Sequence, residues 1–174
     1  NSKFGFPVVV KPINEGSSVN VFICSRKNIF SNIKKLREYG EILIEKYIPG
    51  TEIQVAILSE KILGAIELKP KRKFYDFQAK YNPKAKTQHI IPVDITKKQL
   101  TKVSNIALKA HKLLRCRGVS RSDFRFYNNK FYLLETNTQP GMTSLSLVPE
   151  IARYKDITFK NLIKKIMEDA SINK

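Results

Sequence analysis

The pattern of apolar and polar positions predicts strands through the first part of the chain. The β-branched runs in "PVVVKP" and "SVNVFIC" flank a polar, Gly-containing link, "INEGSS", which is typical of a hairpin. "EILIEKYI" is predicted as a strand ending at the Pro49-Gly50 turn, and "TEIQVAIL" and "KILGAIEL" as two more. Between the second and third strands, "RKNIFSNIKKLREY" has the apolar spacing of a helix, with Ser25 as its predicted cap and Gly40 at its end.

Helical spacing marks two later segments. In "TKKQLTKVSNIALKAHKLL", Thr96 and Gln99 form a capping-box pattern. An apolar stripe is predicted along one face of this helix: Leu100, Val103, Ala107, Ala110 and Leu114. "TFKNLIKKIMEDA" predicts a last amphipathic helix capped by Thr158. Strands and helices are mixed without a regular βαβ repeat, so we predict an α+β fold with mainly antiparallel sheets flanked by helices.

One long connection, "KPKRKFYDFQAKYNPKAKTQHIIP", has neither the strand nor the helix period over about twenty residues. A loop of that length in a compact domain is usually functional or disordered. The interleaved Phe74, Tyr75, Phe77 and Tyr81 argue against plain disorder, because a loop needs aromatic side chains to pack down over another surface. We therefore predict a functional loop here.

Polar residues at alternate positions mark the hairpin "RSDFRFYNNKFYLLETNTQPGM". Residues two apart on a strand share a face, which groups the polar side chains as Arg121 with Asp123 and Glu135 with Asn137. The turn decides whether the two groups meet. A two-residue turn at 128–129 pairs Asp123 with Leu134, whereas a three-residue loop or a bulge pairs it with Glu135. Only the second register assembles one acidic cluster.

The side chains of Asp123, Glu135 and Asn137 carry chemistry that an ordinary surface does not need. Carboxylate and amide oxygens are hard ligands that suit Mg2+ bound beside phosphate. The alternative is a solvated outer face, which is common on strands that alternate apolar and polar residues. The following Pro140-Gly141 favours a site, because it turns the chain and exposes backbone N–H groups that can hold an anion.

Composition and charge narrow the class of protein. The chain has 174 residues, 42% of them apolar, which is enough for one substantial core or two small ones. It has no run of 18 or more apolar residues, so we expect no membrane partner and a cytoplasmic location. Cys24 and Cys116 lack CxxC spacing and are predicted to be buried free thiols, with no disulfide or zinc site.

The net charge of +17 would suit a polyanionic partner, which keeps a nucleic-acid-binding module open as an alternative. The basic, aromatic stretch from Lys69 to Lys86 motivates that alternative. Against it, residues 1–87 hold 16 of the 32 basic residues, so the charge is not concentrated in one arm. A salt titration separates the two classes, because binding to a phosphate backbone weakens steeply with ionic strength and needs no Mg2+.

Five blocks of the sequence, in order, resemble the D-alanine--D-alanine ligase family, whose members are ATP-grasp enzymes of peptidoglycan synthesis. The blocks are "VVVKPINEGSSVNV", "ILIEKYIPGTEIQVAIL", "FYDFQAKY", "RCRGVSRSDF" and "LLETNTQPGMTSLSLVP". They span nearly all of this chain but somewhat more than the C-terminal half of a typical member. The resemblance therefore implies an ATP-grasp fold whose N-terminal domain is absent. Residues 1–48 would be a truncated central subdomain, and 49–174 the C-terminal subdomain.

The resemblance also implies a set of nucleotide-binding residues. ATP would contact side chains and backbone at matching positions: Lys11, Ser17 and Ser18 at the phosphates; Glu45, Lys46 and Ile48 beside the adenine; Glu52 at the ribose; Phe74 and Leu134 around the base; and Lys80 at the transferred phosphate. Two Mg2+ ions, or Mn2+, would be held by Asp123, Glu135 and Asn137.

By the same resemblance, two D-alanine molecules are the substrates. Arg121 and the Gly141 N–H would stabilise the oxyanion, Ser146 and Leu147 would hold the carboxylate of the second D-alanine, Tyr75 would lie at the substrate, and Ser17 and Tyr81 would belong to a hydrogen-bond network. Members are usually homodimers, and nucleic acid is not a partner. Asn20 stands where the family usually has Gly, which we expect to stiffen the phosphate loop.

Two questions stay open at this level. The enzyme could join another acid and amine, or use D-lactate as the second substrate. The polypeptide as given is expected to be a fragment that binds nucleotide weakly and does not ligate, since the family's N-terminal domain supplies contacts to the first D-alanine and a further ATP-binding lysine.

Overall fold

The computed structural model describes residues 5–16, 18–69 and 87–170, and these form two compact units. The first unit contains the described residues up to Pro49, together with Thr87. The second contains 50–69 and 88–170. Within the described parts of the chain, no helix has both the length and the apolar character needed to cross a bilayer.

The first unit is a small antiparallel sheet with a short helix packed on it. Its elements are β1 (Val8–Pro12), β2 (Phe22–Cys24), α1 (Ile29–Lys35), a 3-10 turn (Arg37–Tyr39) and β3 (Ile42–Lys46). β1 lies in the middle, with β2 and β3 on either side. Val8 and Val10 are fully buried against Ile29 and Leu36. Because strand residues alternate faces, Val9 and Lys11 lie on the opposite, open side.

The start of α1 differs from the prediction. The helix begins at Ile29, and Asn28 rather than Ser25 is its N-cap residue. The Asn28 Oδ1 atom turns back and accepts hydrogen bonds from the Ser25 N–H and hydroxyl, at 2.7 and 3.1 Å. These bonds close a turn before the helix, so the predicted cap at Ser25 was wrong because a local side-chain turn competes with helix formation there.

The second unit contains a five-stranded antiparallel sheet in the order β6-β5-β4-β7-β8. Its strands are β4 (Thr51–Leu58), β5 (Lys61–Lys69), β6 (Gln88–Ile90), β7 (Val119–Tyr127) and β8 (Lys130–Asn137). Its helices are α2 (Lys97–Leu113), α3 (Leu147–Tyr154) and α4 (Phe159–Asp169). The predicted α+β class, with antiparallel sheets and flanking helices, is confirmed.

Helix α2 covers one face of this sheet. Val103 and Ala107 pack into a core with Ile53, Val55 and Phe124, all of them fully buried. The predicted capping box is present, because the Thr96 hydroxyl accepts from the Gln99 N–H and the Gln99 side chain accepts from the Thr96 N–H. Burial of this apolar stripe stabilises α2 more than its intrinsic helix propensity does.

Helix α3 covers part of the other face, next to β5. A Cβ atom on Gly64 would lie 2.7 Å from the Ile151 Cγ2 atom, so the missing side chain at Gly64 lets α3 approach the strand closely. Helix α4 packs on α3 and begins at the predicted cap, where the Thr158 hydroxyl accepts from the Asn161 N–H. The polar positions of β7 and β8 lie on the same side of the sheet as α3.

The end of the α2 stripe also differs from the prediction. Leu114 is 56% exposed, because it is the cap residue beyond the last helical turn, and His111 occupies the buried face in its place. His111 is 1% exposed, and its Nδ1 atom lies 2.7 Å from the Ser120 hydroxyl. Both cysteines are free thiols as predicted, but only Cys24 is buried, whereas Cys116 is partly exposed.

Burial makes His111 a pH-dependent element of stability. Desolvation lowers the pKa of His111 below its usual 6.5, against an opposing effect of Glu60 and Asp169. The unfolded chain therefore binds the proton first as pH falls below 6.5, and stability decreases until the pH drops below the folded-state pKa. We expect the melting temperature to fall between pH 7 and 5 less steeply in His111→Gln than in the unsubstituted protein. Equal slopes in the two proteins would contradict this account.

Candidate active site

The hairpin of β7 and β8 turns through two residues. Tyr127 pairs with Lys130, and Asn128 and Asn129 adopt left-handed φ angles of 47° and 62°. Two consecutive left-handed residues are typical of a type I′ turn, which matches the twist of the flanking strands, and Asn tolerates this conformation. A two-residue turn by itself would have paired Asp123 with Leu134.

A bulge in β8 changes the pairing to the alternative register, in which Asp123 lies opposite Glu135. Pairing runs regularly from the turn to Phe124 opposite Leu133, and then shifts between Phe124 and Asp123. Leu134 is the extra residue, so Asp123 lies opposite Glu135 and, two positions further, Arg121 lies opposite Asn137. The structure therefore selects the bulged alternative, in which all four polar side chains share one face of the sheet. We call Arg121, Asp123, Glu135 and Asn137 the hairpin cluster.

Arg121 and Asp123 form a two-bond ion pair within the cluster. Arg121 Nε and Nη2 donate to the two carboxylate oxygens of Asp123, at 2.7 and 3.0 Å. Asp123 is only 5% exposed, so its charge is compensated at close range by the guanidinium. Glu135 is exposed, and Asn137 is half-buried with its Oδ1 accepting from the Gln139 N–H at 3.1 Å.

The donor set of the cluster fits Mg2+. Within the described residues, no group of three or more His, Cys, Asp and Glu side chains is arranged to hold a metal ion. The hairpin cluster instead offers two carboxylates and an amide from paired strands. Mg2+ usually keeps several waters and takes one or two carboxylates together with substrate phosphates, so a site of this limited size is sufficient.

The loop after β8 brings the predicted anion-binding residues together. A Cβ atom on Gly141 would lie 3.0 Å from the Ser146 hydroxyl oxygen, so the backbone at Gly141 passes directly beside that side chain. The Ser146 hydroxyl accepts from the Thr143 N–H at 2.9 Å, which closes the loop. Ser146 is the N-cap residue of α3 and Leu147 is its first residue, so both lie at the positive end of the helix dipole.

Glu52 belongs to a set of buried polar side chains on the face of the sheet that also carries the hairpin cluster. It lies opposite Arg125 across β4 and β7, and each of the two is 9% exposed. Arg125 Nη2 is 3.0 Å from Glu52 Oε2, and Gln54 Nε2 is 3.4 Å from Glu52 Oε1. The motif blocks do not single out Arg125 or Gln54. The alternation of Arg121, Asp123 and Arg125 along β7 is the signal that could have found the arginine.

In the first unit, Lys11 and Glu45 lie on the open face of the small sheet. Their side chains form an ion pair with 2.8 Å between Nζ and Oε2. Lys46 follows Glu45 on β3, so its side chain points to the opposite face. Ser18 and Asn20 adopt φ angles of 59° and 54°, so Asn20 takes the left-handed conformation that favours Gly.

Several predicted positions remain separate from these groups. Ile48 is partly buried in the connection after β3, and Leu134, the bulge residue, is 42% exposed. Five predicted site residues lie outside the described residues: Ser17, Phe74, Tyr75, Lys80 and Tyr81.

Comparison with known proteins decides the family. A model described as the D-ala D-ala ligase C-terminus matches residues 1–168. The chain belongs to this family. A D-alanine--D-alanine ligase of Pelagibacter ubique (strain HTCC1062) is 66% identical over 169 residues, which cover 97% of this chain and 56% of that protein. The chain thus spans about half the length of the curated relatives it matches in the D-Ala-D-Ala ligase family.

Solved structures support the same family and the ATP-grasp fold. The crystal structure of a D-alanine--D-alanine ligase from Bacillus anthracis has a TM-score of 0.83 and 35% identity, covering 96% of this chain and 55% of that one. A structure from the same organism, complexed with ATP, has a TM-score of 0.80 and 29% identity, covering 96% of this chain and 53% of that one. The ATP-grasp fold expected of this D-Ala-D-Ala ligase family chain is therefore confirmed.

Proposed function

We propose that the protein carrying this chain ligates two D-alanine molecules to D-alanyl-D-alanine with ATP, in the cytoplasm and for peptidoglycan synthesis. The observation that carries the proposal is the register of the β7-β8 hairpin, because it assembles the hairpin cluster in a member of the D-Ala-D-Ala ligase family. The relatives named above support the substrate class. Residues 1–48 would belong to the central ATP-grasp subdomain and 49–174 to the C-terminal one, in a protein that forms a homodimer.

Nucleotide binding would use the residues at the positions that match the motif blocks. The phosphates would contact Lys11, Ser17 and Ser18, and Lys80 would reach the transferred group. Glu45, Lys46, Ile48, Phe74 and Leu134 would surround the adenine, with Glu52 at the ribose. The ion pair of Lys11 with Glu45 supports this assignment, because it holds the ammonium group on the open face of the sheet at a defined position.

Asp123, Glu135 and Asn137 would hold a pair of Mg2+ ions, or Mn2+. When bound, the metal would neutralise negative charge on the phosphate oxygens and so ease attack at phosphorus. The Glu135 side chain is exposed and can reach a metal ion from solvent, whereas Asp123 is buried beside Arg121. Arg121 would thus hold the Asp123 carboxylate in one orientation before the nucleotide arrives.

The reaction would follow in two steps. The carboxylate oxygen of the first D-alanine attacks the γ-phosphorus of ATP, ADP leaves, and an acyl phosphate forms. The amine of the second D-alanine then attacks the acyl carbonyl carbon, which gives a tetrahedral oxyanion. The amine loses a proton, inorganic phosphate leaves, and the peptide bond remains. Activation is needed because a carboxylate is a poor electrophile.

Arg121 and the backbone N–H of Gly141 would stabilise the oxyanion of the second step. Ser146 and Leu147 would bind the carboxylate of the second D-alanine at the N-terminus of α3. The close approach of the Gly141 backbone to the Ser146 hydroxyl supports this pairing of roles, because the two residues lie side by side. Tyr75 would contact substrate, and Ser17 and Tyr81 would complete a hydrogen-bond network.

Phosphate release by the product of the full reading frame tests the proposal. With Mg-ATP and D-alanine, we expect phosphate and D-alanyl-D-alanine to form in equal amounts. Parallel reactions with D-alanine and D-lactate, analysed by mass spectrometry, identify the second substrate. A protein that releases phosphate without joining D-alanine to any acceptor would disprove the proposed activity.

The 174-residue chain by itself should not ligate. It spans 56% of the Pelagibacter ubique relative, and an active site assembled from a longer protein lacks contacts when part of that protein is missing. We expect phosphate release by the chain to stay at the level of a reaction without enzyme. Turnover of ATP by this chain in the presence of D-alanine would show that the prediction is wrong.

A further inference from the structure

Arg125 bonds both to the turn before β4 and to the side chain of Glu52, the residue predicted to bind the ribose. Its Nη1 atom donates to the Gly50 carbonyl oxygen at 3.0 Å, while its Nη2 atom lies 3.0 Å from Glu52 Oε2. The two bonds use separate nitrogens of one planar guanidinium group. Because the fork is rigid, the position of the carboxylate is tied to the position of the turn before β4.

The turn at Gly50 lies directly on β7. Gly50 has a φ of +101°, and a Cβ atom at that position would collide with the Phe126 carbonyl oxygen. A turn this close to the strand cannot move independently of it, so Arg125 is anchored against a fixed backbone. On the other side, Gln54 Nε2 approaches Glu52 Oε1, which gives each carboxylate oxygen a nitrogen partner.

Burial strengthens the attraction between the charges of Glu52 and Arg125. Glu52 and Arg125 are each 9% exposed, and a charge pair shielded from water interacts more strongly than one on an open surface. A carboxylate that accepts both hydroxyls of a ribose must be ionised and must present its oxygens in one orientation. The arginine supplies the compensating charge, and the fork supplies the orientation.

We propose that Arg125 is a positioning residue that preorganises the Glu52 carboxylate for the ribose hydroxyls of the nucleotide. The inference rests on the proposed function, in which Glu52 binds the ribose, and assigns Arg125 no contact with the nucleotide. Arg125 then determines how strongly the enzyme distinguishes a ribonucleotide from a deoxynucleotide. Preorganisation of this kind acts on nucleotide binding more than on the chemical step.

Steady-state kinetics of the full reading frame with ATP and with 2′,3′-dideoxyATP test the proposal. For Arg125→Met we expect the KM for ATP to rise about tenfold and kcat to change less than about threefold. The ATP to dideoxyATP ratio of kcat/KM should fall by a similar factor. Arg125→Lys, which keeps the charge but makes only one of the two bonds, should give an intermediate ratio, and the exposed Arg153→Lys should leave it unchanged.

A wild-type ratio retained in Arg125→Met would overturn the inference. If Arg125→Met does not fold, as judged by thermal melting, a wild-type ratio in Arg125→Lys would overturn it equally. The Glu52→Gln variant separates this result from a failure of the proposed function. Loss of discrimination in Glu52→Gln but not in the Arg125 variants rejects only the role of Arg125, whereas a wild-type enzyme that does not ligate or does not discriminate rejects the underlying function as well.

Discussion

Changing Asp123 to Asn in the full reading frame is expected to lower kcat for ligation about 10³-fold. Asn has nearly the same shape but is neutral, so it would remove the charge of a proposed metal ligand and replace one of the two oxygens that accept from Arg121 by an amide donor. Asp123 is buried and both its oxygens accept from Arg121, so the substitution also leaves the guanidinium without its full charge-assisted pair. The phosphate-release assay at saturating ATP and D-alanine measures the effect.

Asp156→Asn is the matched control. Asp156 is exposed and has a left-handed φ of 57°, a conformation that Asn adopts readily, so the same chemical change should leave kcat within about twofold. Thermal melting of both variants excludes unfolding as the cause of a lost activity. If folded Asp123→Asn protein ligates at a rate near that of the unsubstituted enzyme, the hairpin cluster is not the catalytic centre.

The second large effect is expected at Arg121. We expect Arg121→Lys to lower kcat about 10²-fold, since one oxyanion donor is worth that much and Lys lacks the planar fork that reaches two acceptors. The KM for ATP should change little, because Arg121 is assigned to the step after phosphoryl transfer. Isotope exchange or trapping of the acyl phosphate with hydroxylamine would show whether the first step survives in this variant.

Arg153→Lys serves as the comparison, because Arg153 is exposed on α3 and outside the proposed site. It should retain the unsubstituted kcat. A large rise in the KM for ATP in Arg121→Lys, with kcat preserved, would reassign this arginine from the oxyanion to the nucleotide.

Local patterns allowed much of the fold to be predicted. Most strand runs, the capping box at Thr96 and the cap at Thr158 were recognisable, because each depends on residues within a few positions of one another. Strand β6, which lies in the segment predicted as a loop, and helix α3 were not predicted. The face shared by Arg121 and Asp123 was equally predictable from alternation. The predicted cap at Ser25 was wrong because Asn28 forms a competing local turn there.

The candidate site was predictable only in part. The side chains proposed to carry the chemistry stand in the motif blocks, but the register of the hairpin depended on whether Leu134 was absorbed in a bulge. Arg125 was not predicted, since its importance arises from contacts with Gly50 and Glu52, more than seventy positions away in sequence. Such partners come together only when β4 and β7 pair.

The sequence by itself indicated the family, most of the elements and the chemical groups proposed to bind a nucleotide and a divalent cation. These properties follow from residue identity and short-range periodicity. Tertiary structure alone decided which groups meet: Asp123 opposite Glu135, Arg125 on Glu52, and Gly141 beside Ser146. The physical reason is that strand pairing is a long-range choice, in which one extra residue moves every following side chain to the opposite face of the sheet.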